Sequence, residues 1–97
     1  MNAQELFEKL GYKRKDVLSI ISYESDLTDT LITFITNKKK GNRVHIYPIE
    51  NKFQDSGMIS YAEIKAILKQ IEELGWKDDT DEQIEWVKNE TTEGELS

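Results

Sequence analysis

The first periodic segment is Ala3, Leu6, Phe7 and Leu10, whose three- and four-residue spacing sets all four on one face of a helix. Asn2 stands at its N-cap position, and Gly11 stands where the residue after a helix adopts positive φ. The period then changes. Val17 to Glu24 is rich in β-branched and aromatic residues and reads as a strand, with a polar connector from Lys13 to Asp16 before it and a turn over Ser25 to Asp29 after it. Thr30 to Thr36 and Arg43 to Ile49 read as two further strands. Between them Asn37, the lysines 38 to 40, Gly41 and Asn42 supply hairpin chemistry. Pro48 has no amide hydrogen, so the third strand ends there or runs along a sheet edge.

Glu50 to Met58 has no period and reads as a loop. Ser60 and Glu63 then form an S-x-x-E capping box, each side chain placed to satisfy the other's free amide. Tyr61, Ile64, Ile67, Leu68, Ile71 and Leu74 make the expected apolar stripe of the helix that follows, with Glu63 and Gln70 largely away from it and Gly75 ending it. Thr80 and Gln83 repeat the capping spacing ahead of Ile84, Trp86 and Val87, which predicts a short third helix. Residues 89–97 carry no period and read as a flexible acidic tail on a single domain over residues 1–88.

These elements predict an α+β fold of order α-β-β-β-α: a three-stranded antiparallel sheet with two helices packed on one face and a short C-terminal helix. Alternation groups Leu18, Ile20, Ile32, Phe34, Val44 and Ile46 on one sheet face. It groups Ile21, Tyr23, Leu31, Thr33, Ile35, His45, Tyr47 and Ile49 on the other. Both faces are partly apolar, so one is expected to stay open for a second copy, the C-terminal segment or a target.

Charge alters this picture more than composition does. The chain has 97 residues, 37% apolar and 33% charged, enough for one core beneath a solvated surface. It has no cysteine and no apolar run of spanning length, which predicts a cytoplasmic protein with no membrane partner. The net charge of −6 is unevenly spread. Up to Phe53 there are nine basic and seven acidic residues, and after it four basic and twelve acidic, so +2 meets −8. Such acidity argues against direct nucleic-acid binding, whose affinity comes chiefly from Lys and Arg.

Leu10-Gly11-Tyr12 after a short helix, the strands, then Ile59-Ser60, Glu63, Ala66-Ile67 and the run KQIEELGW from Lys69 to Trp76 together carry a resemblance. Over about residues 1–76 the chain resembles small uncharacterised proteins of phages and mobile elements of Gram-positive bacteria. A weaker, fold-level similarity connects it with small acidic phage anti-CRISPR proteins. The resemblance implies a setting in a bacterial host cell.

No catalytic apparatus is legible. The one histidine, His45, falls in a strand without a partner of catalytic or metal-ligating type, and is read as structural. Asp78, Asp79, Asp81 and Glu82 lack the spacing and glycine of a calcium loop, so neither a metal nor any other cofactor is expected. The lysines 38 to 40 with Arg43 read as a solvated hairpin tip. The candidate site is an acidic and aromatic surface: Glu72, Glu73, Asp78, Asp79, Asp81, Glu82, Glu85 and Trp86. From Glu72 to Glu95 ten acidic residues face only Lys77 and Lys88, with Trp76 and Trp86 among them. Such a surface can steer to a basic cleft and occupy it, or the acids can merely keep the domain soluble while both tryptophans close the core.

The expected function is a non-enzymatic protein-binding module, an acidic decoy that inhibits a host nucleic-acid-binding protein in an anti-CRISPR or anti-restriction manner. The alternative is a structural or assembly protein that self-associates, as a homodimer for instance, through the free sheet face.

Overall fold

The computed structural model describes residues 1–96, with side chains described through residue 90. Helix α1 spans Ala3–Lys9, strands β1 to β4 span Lys13–Val17, Ile20–Ser25, Thr30–Ile35 and Arg43–Pro48, and helices α2 and α3 span Tyr61–Leu74 and Thr80–Leu96. The architecture is α+β. The strands form one antiparallel meander in the order β1-β2-β3-β4.

The sheet therefore has four strands, and the expectation of three is corrected. What read as one strand from Val17 is a hairpin, in which Val17 pairs with Ile20 across the two-residue turn Leu18-Ser19. Two features concealed it. The segment Lys-Arg-Lys-Asp-Val is exposed along its whole length, so no apolar alternation marks it. The turn also lacks the glycine or asparagine that usually supplies positive φ: Leu18 adopts φ 58° with its side chain 97% exposed. Backbone pairing and the Lys15–Glu24 ion pair, 2.7 Å, hold this edge strand in place.

Register also corrects the two sheet faces. Ile21 pairs with Phe34 and Tyr23 with Ile32, while Ile32 pairs with Ile46 and Phe34 with Val44, so these six residues share the face beneath the helices. Ile20, Leu31, Ile35 and Tyr47 belong to the opposite, open face, with Lys13, Lys15 and Val17 of β1 alongside. Alternation sorts residues within a strand, but pairing decides which set of one strand joins which set of the next.

The core lies between the sheet and helices α1 and α2. Phe7, Tyr12, Tyr23, Ile32, Phe34, Ala66 and Ile67 fill it, with the Phe7 and Tyr23 rings stacked 3.9 Å apart. Asn2 and Glu5 close a capping box at the start of α1, and Ala3 N donates to Glu73 Oε2 at 2.7 Å, which ties α1 to the end of α2.

The expected stripe of α2 is rotated. Glu63, Ala66, Ile67 and Gln70 are buried, whereas Tyr61, Ile64 and Leu68 face water. Two tyrosines explain this. Tyr12 Oη donates to Glu63 Oε2 and Tyr23 Oη donates to Gln70 Oε1, both at 2.5 Å, so two polar residues enter the core with their acceptors satisfied. Burial and the Glu63 bond push the Tyr12 phenol up to about 12.

Helix α3 is longer than expected, running through most of the segment read as a tail. Ser97 and the side chains of residues 91–97 lie outside the described residues. Among the described residues no helix or strand packs extensively on α3.

Candidate functional site

The β3–β4 loop is built by its asparagines. Asn37 Oδ1 accepts from the amides of Lys39 and Lys40, both at 2.9 Å, and Asn42 Oδ1 accepts from Asn37 N. At Gly41, φ is +89°, and a Cβ there would stand 2.0 Å from Gln83 Nε2 and 2.7 Å from Asp79 Oδ2. Glycine suits the positive φ of the turn, and a Cβ there would have to displace the ends of the Gln83 and Asp79 side chains.

The start of α3 corrects the second capping box. Thr80 is the first helical residue, and Asp78 Oδ1 accepts from both its amide and its hydroxyl. Those bonds, the hydroxyl's first, hold the Asp78 carboxyl below its ordinary range. Gln83 is thereby free for another role. Its Nε2 donates to Lys40 O at 2.8 Å, and its Oε1 accepts from Arg43 at 3.3 Å. One helical turn on, Trp86 lies beneath two cations, with Lys40 Nζ 5.8 Å and Arg43 Cζ 5.2 Å from its ring centre.

A groove of about 620 Å³ separates the loop from the start of α3. Lys38 and Lys39 line it from the loop and Lys77 from the connector, against Asp78, Asp79 and Glu82, with Trp76 and Trp86 also in its lining. Three cations and three anions thus share its walls. The basic and acidic halves of the sequence fold against each other here, so this part of the acidic surface faces the chain's own basic loop.

The expected site residues divide accordingly. Asp78, Asp79, Glu82 and Trp86 come together on the groove. Asp81 shares a small hollow with Asp78 and Glu82, and Glu85 is exposed outside the groove. Glu72 and Glu73 belong elsewhere: Glu72 pairs with Lys69 at 3.6 Å, and Glu73 holds the start of α1. Trp86 is half-buried by its cations. Trp76 is half-buried against Phe34, ring centres 6.2 Å apart, and its Nε1 is enclosed without an acceptor among the described residues.

Beside Trp86, α3 exposes what sequence reasoning left out of the site. Ile84 and Val87 are 48% and 52% exposed and line a shallow hollow with Asp79, Thr80, Gln83 and Lys88, so α3 has a half-open apolar side bordered by charges of both signs. Their i, i+3 spacing was visible in the sequence, where it served only to predict the helix. His45 is exposed on the open sheet face, its ring 4.3 Å from that of Tyr47. Among the described residues no three His, Cys, Asp or Glu side chains are grouped to hold a metal ion, and no helix is long and apolar enough to cross a membrane.

Comparison of the chain with protein-family models, curated proteins and solved structures gives no match.

Proposed function

We propose that this chain is a non-enzymatic protein-binding module of phage or mobile-element type, acting in the cytoplasm of a bacterial host, whose helix α3 docks on a basic surface of a nucleic-acid-binding protein. The observation that carries the reading is helix α3, whose first turn is acidic and whose Ile84 and Val87 stay half-exposed beside Asp79 and Lys88, on a helix attached to the domain through the β3–β4 loop.

An apolar pair of this kind gains by being covered, and the neighbouring carboxylates select what covers it. Asp81 and Glu85 repel an acidic surface and are steered toward the lysines and arginines with which a protein holds phosphate. Occupation of that surface excludes nucleic acid. The groove acids contribute less, because Lys38, Lys39 and Lys77 already oppose them.

The test is capture from a bacterial lysate with the intact chain and with a variant carrying Asp81→Asn, Ile84→Ser, Glu85→Gln and Val87→Ser. The expected result is a nucleic-acid-binding protein retained by the intact chain, lost with the variant, and released by added DNA or RNA or by raised salt. Equal retention by both chains, or a partner indifferent to nucleic acid, would overturn the reading.

A further inference from the structure

The outward side of α2 carries an apolar ridge that stays exposed among the described residues. Tyr61, Ile64 and Leu68 recur at i, i+3 and i+7 and are 71%, 41% and 59% exposed. They lie away from Glu63, Ala66, Ile67 and Gln70, which face the core. A surface helix ordinarily buries one stripe and wets the other. Helix α2 is apolar on both, and Met58, also exposed, lies just ahead of its cap.

We propose that this ridge is a homodimer interface in which the α2 helices of two copies of this chain pack antiparallel about a two-fold axis. The charges beside the ridge select that occupant and that direction. Lys65, whose Nζ lies 4.7 Å from the Tyr61 ring centre, flanks the N-terminal half, and exposed Glu72 flanks the C-terminal half. Antiparallel packing sets the N-terminal half of each helix against the C-terminal half of the other, so Lys65 meets Glu72 on both sides of the axis. Parallel packing would set like against like.

The helix dipoles favour the same direction. Glu72 and Glu73 end α2 with no basic residue in its last turn; Glu73 is met by Ala3 N of α1, and exposed Glu72 by Lys69 at 3.6 Å. An antiparallel neighbour brings the positive end of its own α2 alongside them. A uniformly basic or acidic partner would match only half of the ridge.

This contact goes beyond the docking role of α3 and is independent of it. It leaves α3 of each copy free, so the dimer presents two docking helices and gains avidity for a repeated target.

Sedimentation of the intact chain over a concentration series tests the proposal. The expected result is a reversible monomer–dimer equilibrium. Leu68→Glu, or Tyr61→Ser should the first variant fold poorly, weakens it roughly tenfold or more, with unchanged circular dichroism. Lys65→Glu and Glu72→Lys each loosen the dimer, and the two together restore it. A monomer at every soluble concentration would overturn the proposal. So would a dimer that resists these changes but dissolves on Leu31→Glu, which places the contact on the open sheet face. Lysate capture through α3 is a separate readout, so either result can fail without the other.

Discussion

Single residues hold this fold through polar groups taken into its interior. Asp29 is the clearest case: it is buried, with φ 53°, and its two carboxylate oxygens accept from the amides of Glu50 at 2.9 Å and Lys52 at 2.6 Å. The Ser56 hydroxyl, then those amides and the Lys52 charge, lower its proton affinity. One side chain thereby organises the long loop after β4. Because the folded state holds this carboxylate below its unfolded value, its contribution is complete above about pH 4 and is lost as pH falls through the lowered folded value. Asp29→Asn is expected to reduce stability at neutral pH and to flatten the acid limb, as urea unfolding at a series of pH values would show. A wild-type acid limb in the variant would exclude this role.

At the scale of elements, the β1–β2 hairpin and α2 show how tertiary pairing overrides local pattern. Leu18 occupies a left-handed conformation that costs a branched side chain about 1 kcal/mol, and its near-complete exposure returns nothing to the core. Asparagine tolerates that conformation. Leu18→Asn is therefore expected to stabilise the protein by roughly 0.5–1 kcal/mol in chemical denaturation, and a loss of stability would mean that Leu18 makes a contact of its own. Helix α2 was legible in its ends, since Ser60, Glu63 and Gly75 act as their chemistry requires. Its rotation was not. Glu63 and Gln70 are polar by type, and only the facing hydroxyls of Tyr12 and Tyr23 make their burial favourable.

Across the whole molecule, the charge asymmetry of the sequence is partly an internal match. The basic loop and the acidic start of α3 are joined through Gly41, Gln83 and Trp86. Gly41→Ala drives a Cβ into Gln83 and Asp79 and strains a positive φ, at an expected cost of about 1 kcal/mol. Hydrogen exchange at the backbone of α3 should rise while that of β2 and β3 stays slow. Unchanged protection in α3 would show that the clasp is not what holds the helix.

The sequence by itself determined the α+β class, the caps of α1 and α2, and the positions of β3, β4 and the hairpin between them, because capping, period and turn chemistry act over a few residues. It also marked Asp78, Asp79, Glu82 and Trp86, which the structure gathers on one groove. Only the tertiary structure decided the fourth strand, the register of β2 on β3, the buried side of α2 and the placing of acidic residues across a groove from the chain's own lysines. Each of these depends on a partner distant in the chain, whose hydrogen bond, ring or charge changes which residues can leave water.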